Sequence, residues 1–283
     1  MSRRSFKQVD VFAHQAFKGN PVAVVLDAGA VSEVQMAAIA RWTNLSETTF
    51  VLPAADPKAD YRVRIFSTLH ELPFAGHPTL GTCHAWLEAG GKPKGREIIQ
   101  ECGVGLVRIR QEEGRLAFVA PPLLRSGPVK AEQLLSIRRA LGIDASEVLD
   151  AQWVDNGTGW LALRVSSPDI VLRVRPNFAE LGDVPVGIFA EWPSIQGAGV
   201  AAFEVRAFIA GDAMPEDPVT GSLAAGVAQW LRGDHLAPDN YVIHQGRMLG
   251  REGKIHVTRD GRDIWVGGNT VTLIDGTLDI ADT

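Results

Sequence analysis

Apolar and polar positions alternate in short runs along most of this chain, and the longer apolar stretches come only after glycine-rich turns. Gln8-Val9-Asp10-Val11-Phe12 and Val22-Ala23-Val24-Val25-Leu26 read as strands joined through a turn containing Gly19-Asn20-Pro21. A helix follows, with Ser32 and Gln35 forming a capping-box pattern ahead of Met36, Ile39, Ala40 and Trp42, and with Thr43-Asn44 as its stop. Leu45 to Leu52 turns β-rich, and Tyr61-Arg62-Val63-Arg64-Ile65-Phe66 alternates basic with apolar positions as a half-buried strand does. A second helix is expected from about Pro78 to Leu87, since Pro is tolerated in a first turn. Past Gly90-Gly91, residues 97–110 and 115–119 predict two strands around a Glu113-Gly114 turn.

The stretch from Ala120-Pro121-Pro122 to Gly127-Pro128 is the best candidate for a domain boundary. It separates an N-terminal half, residues 1–121, from a C-terminal half, residues 122–283, whose final strand is free to cross back. The second half predicts a helix at about 130–141 closed by Gly142, a strand around 160–165 and another at 203–209. Turn pairs at Asp260-Gly261, Gly267-Gly268 and Asp275-Gly276 then separate short β segments. The pattern predicts an α+β protein of two similar halves, each a strand-rich sheet wrapped around a central helix.

One motif occurs twice. Glu71-Leu72-Pro73-Phe74-Ala75-Gly76-His77-Pro78-Thr79-Leu80-Gly81 is answered by Glu216-Asp217-Pro218-Val219-Thr220-Gly221-Ser222-Leu223-Ala224-Ala225-Gly226, with Glu, Pro and two Gly at identical spacing. Each copy runs into an apolar stretch containing a Trp-Leu pair, Trp86-Leu87 and Trp230-Leu231. Each half therefore presents a tight turn at a helix start, where exposed N–H groups and partial positive charge suit a small anionic ligand. Gly and Pro punctuate ordinary turns too. The polar residues set into these turns, His77 in one copy and Asp217 with Ser222 in the other, fit chemistry better than packing.

Composition narrows the classes. At 283 residues, with 46% hydrophobic and 22% charged residues, the chain matches a globular protein of two modest domains, and no apolar run approaches bilayer length. The first residues are basic, but no apolar signal core follows, so a cytoplasmic location is expected. A net charge of -5 with scattered basic residues argues against nucleic acid and for a small-molecule partner. Cys83 and Cys102 belong to no C-x-x-C pair and are expected to be reduced core residues. His70, His77 and His84 recur at intervals of seven, but H-x-x-x-H and H-E-x-x-H are missing and no metal site is expected.

Glu47 is the leading candidate for chemistry. It lies in Asn44-Leu45-Ser46-Glu47-Thr48-Thr49-Phe50-Val51, flanked by hydroxyls where a helix gives way to a strand. A carboxylate in a closed, partly apolar setting gains the proton affinity an acid/base needs, whereas the plainer assignment is a solvated turn glutamate. Asp217, its backbone fixed by Pro218, either caps the next helix through the N–H of Thr220 or Gly221, or faces the ligand as a second acid or acceptor. His77 has the plainer assignment of a capping or structural imidazole, but between Gly76 and Pro78 it is expected to project outward, and Ser222 to hold a substrate oxygen or relay a proton. G-x-S-x-G, the dinucleotide fingerprint and the Walker motif are missing, which leaves proton transfer without a cofactor.

Together the Asn44–Val51, Glu71–Gly81 and Glu216–Ser222 stretches resemble the PhzF-like phenazine-biosynthesis isomerase family. Val9-Asp10-Val11-Phe12, Gly19-Asn20-Pro21-Val22-Ala23-Val24-Val25, Gln245-Gly246 and Gly250-Arg251 fit as well, so the resemblance spans nearly the whole chain. It implies the diaminopimelate-epimerase fold, with a central helix in each half, the active site in the cleft between them, and a homodimer. Racemases of that fold use one cysteine from each helix-start turn. Here those turns hold Ala75-Gly76-His77 and Asp217-Pro218, a departure that PhzF-like proteins share. The resemblance further implies a hydrogen shift within trans-2,3-dihydro-3-hydroxyanthranilate, with Glu47 lifting the C3 proton and returning it to C1. His77, Asp217 and Ser222 would orient the substrate and assist the relay, and the N–H groups of Gly76 and Gly221 would receive its carboxylate. Where phenazine enzymes tend to have Thr-Pro, this chain has Ser67-Thr68-Leu69-His70, which leaves the substrate open. The competing functions are an amino-acid epimerase or racemase using Glu47 and Asp217 as opposed bases, and a small-ligand-binding protein without catalysis.

Overall fold

The alternation in Tyr61–Phe66 does become a strand, with Tyr61, Val63 and Ile65 buried and Arg62 turned to solvent. It belongs to a computed structural model of the chain that describes residues 2–112, 114–193, 201–211 and 214–280. Backbone contacts divide the chain into two compact units, Met1–Val119 with Gly267–Thr283, and Ala120–Val266.

In the first unit the strands lie in the order Thr270–Ile280, Ser2–Val11, Asn20–Val25, Glu47–Leu52, Tyr61–Phe66, Ile98–Cys102, Gly105–Glu112 and Arg115–Val119. Their pairings run antiparallel twice, parallel, antiparallel, parallel, then antiparallel to the end. In the second unit the order is Arg125–Pro128, Val148–Asp155, Leu161–Val165, Val186–Glu191, Ala201–Phe208, Asn240–Gln245 and Gly253–Asp260, with the same alternation of pairings. The chain re-enters the first unit at Gly267.

The duplicated motif occupies the same place in both. Glu71–Leu72 pairs with Ile65 and Phe66, and Glu216–Asp217 pairs with Ala207 and Phe208. A helix of 13 residues follows each, Gly76–Glu88 and Gly221–Gly233. Residues 76–83 and 221–228 are buried on every side, the mark of a helix enclosed by its own sheet. The second shared glycine marks where helix meets strand: a Cβ on Gly81 would lie 2.3 Å from Val22 Cγ1, and one on Gly226 2.3 Å from the Val154 carbonyl oxygen. Edge-to-face pairs fill the space around each helix, Phe74 with Phe118 at 5.5 Å and Phe189 with Trp230 at 5.2 Å.

Local signals hold where they are self-contained. Ser32 and Gln35 form the capping box, Asn44 closes that helix in the left-handed conformation (φ 54°), and Gly142 closes Ala131–Leu141 (φ 66°). Two expectations are corrected. Residues 97–110 are two strands, Ile98–Cys102 and the start of Gly105–Glu112, reversed at Gly103-Val104, where a Cβ on residue 103 would sit 2.6 Å from Pro73 Cα. Asp275-Gly276 is no turn but the middle of Thr270–Ile280, held extended by Ser2–Val11, with Asp275 opposite Lys7 and their side chains 2.7 Å apart.

Candidate active site

Glu47 is the first residue of its strand, just past the helix-closing Asn44. Its side chain is 14% exposed, too enclosed for a solvated turn glutamate, and Oε2 lies 3.4 Å from His77 Nε2. His77 is the second residue of the helix Gly76–Glu88 and is 2% exposed. The expected outward projection is therefore wrong: the imidazole turns inward, because Asn20 on the neighbouring strand meets Nδ1 at 3.2 Å and Glu47 meets the other nitrogen. Burial pushes the ring's pKa down to about 3, so it stays neutral at physiological pH. Asn20 Nδ2 lies 3.2 Å from Nδ1, and the other ring nitrogen, Nε2, faces Glu47. The helix opens on Ala75 with no side-chain cap, and Pro78 carries no N–H, so the N–H groups of Gly76 and His77 have no acceptor within the helix.

In the second unit Thr220 takes the cap position of Gly221–Gly233, again without a side-chain cap. Asp217 had two expected assignments, and the first is corrected in part. The Thr220 N–H donates to Gln245 Oε1 at 2.9 Å, while Asp217 Oδ2 accepts the Thr220 hydroxyl at 2.6 Å. Ser222, the second helix residue like His77, is 4% exposed. The Trp160 indole N–H donates to its Oγ at 2.9 Å, and Asn156 donates to its carbonyl at 2.8 Å. An indole N–H only donates, so the Ser222 oxygen accepts here and its own proton is directed elsewhere.

Around these helix starts the structure adds residues that the motif alone does not mark. Arg64 donates from Nε to Glu71 at 2.7 Å and lies 5.1 Å over the Phe66 ring. Arg206 forms the matching fork to Glu216 at 2.8 Å and lies 4.9 Å over Phe208. The shared Glu of each copy thus anchors its turn to an Arg-x-Phe on the preceding strand, a signal visible in sequence as Arg64-Ile65-Phe66 and Arg206-Ala207-Phe208. Asn20, Trp160 and Gln245 reach the turns from distant segments, and of these only Asn20 and Gln245 lie in stretches that carry the family resemblance.

The remaining candidates lie apart from this chemistry. Cys83 is buried inside the first central helix, where desolvation pushes its thiol up to about 12, and Cys102 ends a strand. Ser67-Thr68-Leu69-His70 folds on itself: the Ser67 hydroxyl accepts the N–H groups of Leu69 and His70, each at 3.1 Å. His84 is taken up by Thr270 and Glu88, so the sevenfold histidine spacing gathers nothing. Among the described residues no helix is long and apolar enough to cross a membrane.

The family model described as "Phenazine biosynthesis-like protein" matches residues 9–276. The chain belongs to this PhzC-PhzF family. Among its relatives, "Antisense-enhancing sequence 1" of Schizosaccharomyces pombe is 37% identical, over 98% of this chain and 99% of the relative. The "Trans-2,3-dihydro-3-hydroxyanthranilate isomerase" of Pseudomonas chlororaphis is 32% identical over 95% and 97%. A solved structure titled as a predicted epimerase from Pseudomonas aeruginosa superposes with a TM-score of 0.78 at 27% identity, covering 98% of this chain and 100% of that one. These likenesses place the PhzF-family chain among isomerases, on the diaminopimelate-epimerase-like α+β fold.

Proposed function

We propose that this PhzF-family protein is a cofactor-independent isomerase that moves a proton within a small carboxylated substrate, with Glu47 as the acid/base. The observation that carries this is the Glu47–His77 pair: an enclosed carboxylate 3.4 Å from a buried, neutral imidazole, beside an uncapped helix start. A neutral His77 adds no positive charge that would hold Glu47 ionised and weaken it as a base.

The name of the P. chlororaphis relative favours trans-2,3-dihydro-3-hydroxyanthranilate as substrate. In that case Glu47 takes the C3 proton as the C–H bond breaks, the electron pair moves through the conjugated system, and the same carboxyl group delivers the proton to C1. The N–H groups of Gly76 and Gly221 receive the substrate carboxylate, Ser222 donates to a substrate oxygen, and Asp217 accepts from a substrate N–H or O–H. A homodimer in the cytoplasm belongs to the same proposal. The epimerase alternative needs Asp217 as a second base, a role weakened by the Thr220 hydroxyl already donating to it.

Turnover of trans-2,3-dihydro-3-hydroxyanthranilate, followed by ultraviolet absorbance for wild type and Glu47→Gln, tests the assignment. Consumption by wild type with a loss of about 10²–10⁴-fold in the variant is expected, the usual weight of a general acid/base. Full activity of Glu47→Gln would overturn the role of Glu47. Deuterium entering an amino acid from solvent with loss of optical rotation would replace the hydrogen shift by epimerisation.

A further inference from the structure

A side chain outside the duplicated motif governs the turn before the second central helix. Gln245 ends the strand Asn240–Gln245 and is 1% exposed. Its amide orientation is set by the backbone: the Thr220 N–H can only donate, so the atom it meets at 2.9 Å is Oε1. Nε2 then donates to the Asp217 carbonyl at 2.9 Å and to Thr220 Oγ1 at 2.8 Å. A hydroxyl that already accepts points its own proton at its other partner, here Asp217 Oδ2 at 2.6 Å. The hydrogen bonds from Gln245 through Thr220 to Asp217 therefore run in one direction and end with a donor aimed at a carboxylate.

We propose that Gln245 is a positioning residue that acts through the Thr220 hydroxyl to hold Asp217 ionised and aimed as a hydrogen-bond acceptor. It rests on the assignment of Asp217 to the site given above. The strand end cannot slide away from this turn. Gly246 has φ 96°, and a Cβ there would lie 2.7 Å from the Pro218 carbonyl oxygen; a Cβ on Gly253 would lie 2.3 Å from Val219 Cγ2. Of the charged groups packed near the turn, Arg206 is engaged by Glu216, Arg247 lies 3.3 Å from Glu204, His244 beside Gln245 meets Arg247 at 3.4 Å, and Arg251 packs against Gly246. A hydroxyl proton donated to a carboxylate stabilises its charged form, so the direction of these hydrogen bonds favours Asp217 as an acceptor.

The test follows the side-chain carboxyl carbon of Asp217 by 13C NMR in the full-length protein, labelled at aspartate and identified by the signal missing in Asp217→Asn. Gln245→Glu keeps an acceptor for the Thr220 N–H but loses the donor; Thr220→Val loses the hydroxyl; Thr220→Ser keeps it. The midpoint is expected to rise by about one pH unit in Gln245→Glu and in Thr220→Val, and to stay at the wild-type value in Thr220→Ser. In the Thr220→Val background, Gln245→Glu is expected to add much less than it does alone, which separates the relay from the added charge. An equal shift with and without the hydroxyl, or no shift in Gln245→Glu, overturns the proposal. If Gln245→Glu does not fold by circular dichroism, an unmoved midpoint in Thr220→Val overturns it alone. The titration needs no turnover, so loss of the isomerase assignment and loss of this one are distinguishable; where substrate is turned over, the acid limb of kcat/KM should move with the midpoint.

Discussion

The helix starts at Gly76 and Gly221 have the same length of helix behind them, the same two-residue strand before them and the same Arg–Glu anchor, yet they differ in the polarity of what sits in the turn. In the first, a neutral imidazole and an enclosed carboxylate face each other 3.4 Å apart, with Asn20 at the other ring nitrogen. In the second, the side-chain donors are fixed, Trp160 into Ser222, Gln245 into the Thr220 hydroxyl and that hydroxyl into Asp217, while the Thr220 N–H donates back to Gln245. On the proposed function, the first turn of this duplicated scaffold moves the proton and the second holds the substrate.

The largest test of that contrast is kinetic. Glu47→Gln should cost about 10²–10⁴-fold in turnover, whereas Asp217→Asn, which keeps an acceptor oxygen, should raise KM more than it lowers kcat. Equal losses in kcat from both variants would erase the distinction.

Next in size is the stability of the twin anchors. Arg206 is 4% exposed and also donates to the carbonyls of Val171 and Val174, so Arg206→Gln leaves a buried carboxylate and two acceptors behind and should cost about 3–5 kcal/mol in urea unfolding. Arg64, 19% exposed against a 39%-exposed Glu71, should lose no more than about 1 kcal/mol as Arg64→Gln. A matched loss in both would mean that the anchors are equivalent despite their burial.

The neutral His77 makes the first turn acid-sensitive. Its pKa falls from an ordinary 6.5 to about 3 on folding, so its contribution is complete above pH 6.5 and is lost as pH falls toward 3, because only the unfolded chain takes up the proton. Between pH 7.5 and 5 the wild type should lose on the order of 2 kcal/mol through this group, and His77→Gln should lose less over the same interval by urea midpoints. An identical pH dependence in both would place the sensitivity elsewhere, in His84 or His244, whose pKa values burial also lowers.

A last effect, comparable in size, concerns Ser222. Ser222→Ala strands the buried Trp160 N–H and should cost about 1–3 kcal/mol, while Trp160→Phe in that background should recover part of it by removing the unmet donor. No recovery would mean that the indole is held by packing alone.

Much of this was legible in the chain as written. The capping box at Ser32, the αL stop at Asn44 and the helix end at Gly142 are decided within a few residues, and the duplicated Glu-x-Pro-x-x-Gly marks two equivalent helix starts in the sequence itself. The hairpin at Gly103-Val104 and the unbroken strand through Asp275-Gly276 were not legible, since each depends on a partner far away in sequence, Pro73 for one and Ser2–Val11 for the other. The site divides along the same line. Residue types and spacing already singled out Glu47, His77, Asp217 and Ser222 as candidates. Only the tertiary structure turned His77 inward to stay neutral, brought Asn20, Trp160 and Gln245 to their partners, and gave the hydrogen bonds of the second turn their direction. Burial and donor direction are properties of neighbours, and neighbours from distant segments are chosen by sheet pairing rather than by local sequence.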